Sequence, residues 1–347
     1  MFNSGDAGVP FPRSQTMKEQ AVMIEVDPET LVSALEESNR RGLTLSEFTA
    51  LSWSKTMGAE SPEVATSDIP SHILGGIEDF ETFQSRIEGY ETGEMDHITE
   101  GYLWGQFSKF LPAKFTLRIL AQGGDGLTIA QWQDIVREHA YGARDALRNK
   151  DVRLRIPRGN QLAAGFPRGD GKNRVKSMER FLNHFTVVVQ GGGKGRVVGM
   201  CAEMGLISVD KGSKTVRLTD AGLDFAKLRN PQLDESGDSY SSISEDESSM
   251  LLGHMKANLP KDWEFCRQVM MTINDGTDTS EALEQAVMDR LEGNKDLDWR
   301  ELENSGFGTY VRGALGRVGA LGLLDRSWEG RLVSYSLTES GLREIGE

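Results

Sequence analysis

The residues able to do chemistry are thinly spread along this 347-residue chain. Its five histidines, His72, His97, His139, His184 and His254, stand singly. None falls in the H-E-x-x-H or paired Cys/His spacing that gathers ligands around a metal. Cys201 and Cys266 each lie in an apolar, helix-like pattern. Two thiols build neither a disulfide framework nor a four-cysteine zinc site, which points to a reducing cytoplasm. The stretch VVVQGGGKGR at 187–196 sets strand, glycines and lysine in the order of a phosphate loop. It lacks the G-x-x-x-x-G-K-[ST] spacing, and Gly195 stands where the Mg²⁺-binding hydroxyl belongs. Carboxylates abound, but nothing marks a nuclease cluster. The reading is a protein that is not an enzyme and takes no cofactor and no metal.

The remaining candidate chemistry is charge. The net charge is −14, which argues against a polyanion as partner when taken whole, but the distribution is uneven. Acids concentrate in the first hundred residues and in LDESGDSYSSISEDESS at 233–249, while 141–176 holds ten Lys/Arg against three Asp, a local +7. No apolar run approaches the roughly 18–20 residues that span a bilayer, so no membrane is implied. The opening segment, 1–20, lacks the apolar core of a secretion signal and reads as a disordered tail.

The elements that would position these charges are written twice. KTVRLTDAGLDFAKL at 214–228 and VSYSLTESGLREIGE at 333–347 share the phrase L-T-acid-x-G-L. Upstream, MCAEMGLIS lies over RVGALGLLD, and KFTLRILAQGGDGLTIAQWQDIV lies over EFCRQVMMTINDGTDTSEALEQAV. HITEGYLWGQFSKFLP echoes SISEDESSMLLGHMKANLP, each placing Thr or Ser before acids at a helix start. Four collinear matches define a duplicated unit over about 97–228 and 243–346. In the second unit Thr309 is expected to cap a helix in which Val311, Ala314, Leu315, Val318 and Leu321 share one face. Gly322 then reverses the chain, and LLDRSW and LVSYSL alternate as two strands around EGR.

Helices, a Gly-Leu turn, a hairpin and Y-x-L-T-x-x-G together resemble the winged-helix domains of prokaryotic regulators. The resemblance implies a mainly α fold with small β-hairpin wings: two winged-helix domains in tandem, 97–230 and 243–347, joined by an acidic Ser-rich linker at 231–242. An α-rich N-terminal region precedes them. It also implies double-stranded DNA as partner, read by the helix before the Gly-Leu turn and held by the wing. In the second unit the contact set is then Thr309, Tyr310, Arg312 and Arg317 on the helix, with Arg326 and Arg331 on the wing and Trp328 at its tip. In the first, a helix beginning at GGGKGRVVGM offers Lys194 and Arg196, and the wing offers Lys211, Lys214 and Arg217.

The first unit also carries a basic insertion, 141–176, which contains Arg153, Arg155, Arg158, Arg168, Lys172 and Arg174. Arg153 and Arg155 alternate with Val152, Leu154 and Ile156, as on a strand with one basic face inside a projecting hairpin or loop. Phosphate contact is one use of that charge. Pairing with the chain's own acidic N-terminal region or linker is the other.

The acidic N-terminal region covers 21–96. Within it 21–58 resembles a ribbon-helix-helix dimerisation element, with Met23 and Glu25 on the strand face where basic or amide residues would be wanted. The partner that this resemblance implies is a second copy of the chain, in a homodimer. Short helices are expected around SHILGGIEDFETFQSRIEGYE. The role that follows is a cytoplasmic transcriptional regulator, or the DNA-recognition subunit of a larger plasmid-maintenance or antiviral defence system. The alternative is a protein–protein adaptor similar to the tandem winged-helix accessory subunits of condensin complexes.

Overall fold

The computed structural model describes residues 77–346 apart from 170, 191–195, 236, 293, 295–296, 298–301, 303–305 and 330–331. The tail at 1–20 and the ribbon-helix-helix-like element at 21–58 lie outside the described residues. The described residues belong to a compact unit, Thr66–Glu347. It is mainly helical with small antiparallel sheets.

After α1 (Phe80–Arg86), the first repeat is built on α2 (Phe110–Gln122), which is buried at every residue from Phe110 to Ala121. A short strand β1 (Leu127–Thr128) leads into α3 (Ile129–Arg153), whose start is closed by a reciprocal Thr128/Gln131 capping box. Then come α4 (Arg174–Phe185), the pair β2 (Val188–Val189) and β3 (Val197–Val198), and a single helical turn, α5 (Met200–Glu203). The hairpin β4 (Ile207–Asp210) and β5 (Thr215–Leu218) joins β1 in a three-stranded sheet, and α6 (Asp220–Lys227) closes the repeat.

The second repeat has α7 (Glu245–Asn258), α8 (Pro260–Asn274), α9 (Ser280–Leu291) and α10 (Phe307–Ala320). The hairpin β6 (Leu324–Glu329) and β7 (Leu332–Leu337) and then α11 (Glu339–Ile345) follow. A bridge between Thr279 and Ser334 stands where β1 stands in the first repeat.

The duplicated phrase now has a physical content. Gly205 and Gly322 take positive φ angles of 67° and 71°, which reverse the chain after α5 and α10. Thr219 Oγ1 donates to the Gly205 carbonyl at 2.7 Å, and Thr338 Oγ1 donates to that of Gly322 at 2.8 Å. The same hydroxyls accept from the N–H groups of Gly222 and Gly341, capping the last helix of each repeat. A Cβ on Gly222 would lie 1.8 Å from the Leu206 carbonyl oxygen, and one on Gly341 2.1 Å from that of Leu323. Only glycine lets the closing helix sit against the turn.

Four local expectations are corrected. Residues 99–109 form no helix, unlike their echo in α7, because this strip serves as a packing surface: the Leu103 N–H donates to Asp262 and the Thr99 N–H to the Glu203 carbonyl. Arg153 ends a helix rather than lying on a strand. Trp132, Val136, Ala140, Ala143 and Leu147 recur at helical spacing and carry α3 through it. The following chain does not project, since the buried Asp151 carboxylate accepts from the N–H groups of Leu162 (2.7 Å) and Ala163 (3.0 Å) and folds it back. GGGKGRVVGM does not open a long helix. Val188–Val189 and Val197–Val198 pair as a hairpin, and Gly199, at φ 134°, packs its Cα against the Thr186 carbonyl. Finally, Gly306, at φ 78°, occupies the N-cap of α10, and Thr309 lies within its first turn.

Residues assigned to a linker are held in place. Gln232 and Leu233 are buried, Arg118 pairs with Asp234 at 2.7 Å, and the preceding Asn230, also buried, donates to Glu247 at 2.8 Å.

Candidate nucleic-acid interface

Helix α10 was expected to present one face to DNA, but it is covered by the first repeat. A Cβ on Gly313 would stand 2.5 Å from the Cα of Gly105, and one on Gly316 2.6 Å from the Cβ of Ser108, so the helix and the strip at 102–108 touch backbone to backbone. Arg317 is fully buried. It pairs with the fully buried Asp262 at 2.8 Å and donates to the Phe107 carbonyl at 3.1 Å. Burial pushes the Asp262 carboxyl above the usual range, and Arg317 opposes that shift. Tyr310 is also buried, Thr309 is half-buried, and Arg312 alone of the four is exposed.

The second hairpin is likewise engaged. Arg326 donates to the Gly159 carbonyl at 3.2 Å, and a Cβ on Gly159 would meet the Trp328 ring at 2.6 Å. Thus Arg317 and Tyr310 are withdrawn from the candidate set, and Arg326 and Trp328 pack on the first repeat. The side chain of Arg331, like Lys194, lies outside the described residues. Arg196 is exposed at the end of the β2–β3 hairpin, 3.8 Å from Glu203.

The first hairpin keeps Lys214 exposed, with Lys211 and Arg217 half-buried. A strand-like segment lies along it: the Gly93 N–H donates to the Leu218 carbonyl, and His97 bonds the Val209 carbonyl at 3.0 Å. The hairpin tip meets the start of α3, where the Ile129 N–H donates to the Lys214 carbonyl. A rise of 1.5 Å per residue puts Arg153 about 36 Å from that point. The hairpin cations and the insertion therefore form two separate patches.

The insertion is where positive charge remains open. Arg155, Arg158, Arg168, Lys172, Arg174 and Lys176 are all exposed, and none pairs with a carboxylate among the described residues. Arg174 lies over the Tyr141 ring at 4.5 Å, and the Tyr141 hydroxyl donates to the Arg174 carbonyl. The Arg168 N–H donates to Ser177 Oγ, tying the loop to the start of α4. Arg153 alone of the set has the alternative use, an ion pair with Asp238 of the acidic segment at 2.8 Å.

Sequence reasoning missed Tyr141 and Arg144 as members of this face. With Arg137 and Arg148 they follow the 4-3-4 spacing of one helix side, a signal that is legible once the segment is read as helix. Among the described residues no cluster of His, Cys, Asp and Glu could hold a metal, and no helix is long and apolar enough to cross a membrane. Burial pushes both free thiols up to about 12, so neither is a ready nucleophile. No family model, curated protein or solved structure matches the chain.

Proposed function

We propose that this chain binds double-stranded DNA through its first repeat, and that the two repeats are diverged winged-helix units of which the second has become a scaffold. The observation that carries the reading is the row of six exposed cations without carboxylate partners, from Arg155 to Lys176, in a chain of net charge −14. A protein this acidic gains nothing in stability from gathering like charges on one face, whereas a phosphate backbone neutralises them and releases counterions. These arginines and lysines stand on a helix end and on loops, a placement that suits phosphates more than base edges. Contact is thus expected to be weakly sequence-selective, as for the recognition subunit of a larger defence or maintenance system or for a regulator whose specificity comes from elsewhere.

Fluorescence polarisation with a random duplex at two salt concentrations tests this. Binding by four of these cations predicts a log–log salt slope of about −4. The combined substitution Arg168→Glu, Lys172→Glu, Arg174→Glu and Lys176→Glu is expected to weaken binding by about tenfold or more. Arg312→Glu, on the exposed side of α10, is expected to change it little. No binding at low salt and micromolar protein would move the reading to the adaptor. That second reading has its own support: α10 and the second hairpin already serve as protein-packing surfaces.

A further inference from the structure

Between the repeats lies a cleft of about 1220 Å³. Its walls are apolar where Leu111, Ile156, Leu162, Leu315 and Leu323 line it, and serine hydroxyls edge it. Packed interiors leave few voids larger than a water molecule, so an opening of this size at the junction is a recess available to a ligand. Of the three cations that line it, Arg343 of α11 is exposed and donates to Ser340 at 2.9 Å, while the other two come from opposite repeats: Lys109, just before α2, and Arg326, on β6.

Neither cation has a carboxylate partner among the described residues. Lys109 is half-buried, and burial together with the neighbouring Arg326 pushes its ammonium below the usual lysine range. Arg326 is held in place by its bond to the Gly159 carbonyl and by the Tyr335 ring, 5.2 Å away. A fixed guanidinium beside a partly desolvated ammonium is a repulsive arrangement. A concave wall of low dielectric focuses its field. The carboxylates of the same cleft do not quench it: Glu235, Glu245 and Asp325 are exposed, and Glu344 pairs with Lys256 at 2.5 Å.

We propose that this cleft binds a small organic anion, with its charged group between Lys109 and Arg326 and its body against the apolar wall. A phosphate accepting from the guanidinium and the ammonium together would make charge-assisted hydrogen bonds to both repeats. The cleft borders the basic face at Ile156, Pro157 and Gly159, but the cations that hold its occupant, Lys109 and Arg326, are not among the six of that face. Its occupant would tie the first repeat to the second hairpin.

The test is a set of titrations of the full chain with inorganic phosphate, adenosine monophosphate and citrate at matched ionic strength, with chloride as reference. Calorimetry reads binding and a thermal melt reads stabilisation. At least one probe is expected to bind, raising Tm by about 3 °C at roughly ten times its Kd. Lys109→Met and Arg326→Gln are each expected to weaken that binding by about tenfold or more, while Arg312→Gln leaves it unchanged. Response to phosphate alone, only to the nucleotide, or to citrate would assign the anion as free phosphate, a phosphate ester or a carboxylate. The proposal is overturned if none of the three binds at millimolar concentration, or if Arg312→Gln weakens binding as much as the cleft variants. Arg326→Gln carries the test should Lys109→Met fail to fold. Duplex affinity should be the same in both cleft variants, so failure here would leave the DNA reading untouched.

Discussion

His184 is enclosed by rings, edge-on to Trp104 at 5.0 Å and to Phe107 at 6.0 Å, with Phe185 beside it. Burial, helped by the charge of Arg180, lowers its imidazole to about 4. The unfolded chain takes up a proton near the ordinary value of about 6.5, but the folded chain does not until about pH 4. Between those values the unfolded state binds more protons, so stability falls as pH drops from 6.5 towards 4, and the effect is complete below that. Buried Glu203 and Asp151, whose carboxyls are raised by desolvation, act with the opposite sign as acid is added. The clean observable is therefore a difference. Urea midpoints of the wild type and of His184→Phe, taken from pH 7 down to about 4.5, should show a steeper acid loss for the wild type. Parallel curves would mean that the ring is protonated in the folded protein. His254 is shifted in the same direction by burial, with its ring bonded to the Met204 carbonyl at 2.6 Å, and should leave a residual slope in the variant.

At the scale of elements, the parts legible in sequence were those whose requirements are local. Thr219 and Thr338 cap the helix that follows them, Gly222 and Gly341 must lack a side chain, and Gly205 and Gly322 must reverse the chain. Each condition is met within a few residues, so the pattern survives in one-dimensional form. The basic segment was legible as charge but not as helix, because its Val-Arg-Leu-Arg-Ile alternation at 152–156 mimics a strand while the apolar residues that set the period lie earlier in α3. The burial of α10 was not legible. Its second contact face is made of Gly313 and Gly316, which carry no hydrophobic signal, and Arg317 reads as solvent-facing unless Asp262, 55 residues away, is known to meet it. That gives a prediction for the glycines. Gly313→Ala would drive a methyl group into the backbone of Gly105, and overpacking of this kind costs about 1–3 kcal/mol. Denaturant melts should show that loss, with Gly319→Ala, on the open side of the same helix, close to neutral or stabilising. Equal effects at the two positions would mean that α10 does not rest on the strip at 102–108.

At the scale of the whole molecule, buried charges join what sequence divides. Lys114 pairs with Glu247 at 2.7 Å, linking α2 to α7, and Asp262 receives both Arg317 and the Leu103 N–H. Such pairs add little stability compared with apolar packing, but losing one partner leaves an uncompensated buried ion, at a cost of about 3–5 kcal/mol. Asp262→Ala would strand Arg317 with no carboxylate, only the Phe107 carbonyl and the Cys266 thiol beside it, and leave the Leu103 N–H unbonded, with the damage falling on the contact between repeats. A chain whose halves are locked in this way should melt in one calorimetric transition. In Asp262→Ala the second repeat, which loses its charge pair, should separate as an earlier transition. The double variant Asp262→Leu with Arg317→Met removes both charges and should recover part of the loss, since no ion is then left buried. If Asp262→Ala melts as one transition near the wild-type temperature, the buried pair does not couple the repeats, and α10 could then come free to meet another partner.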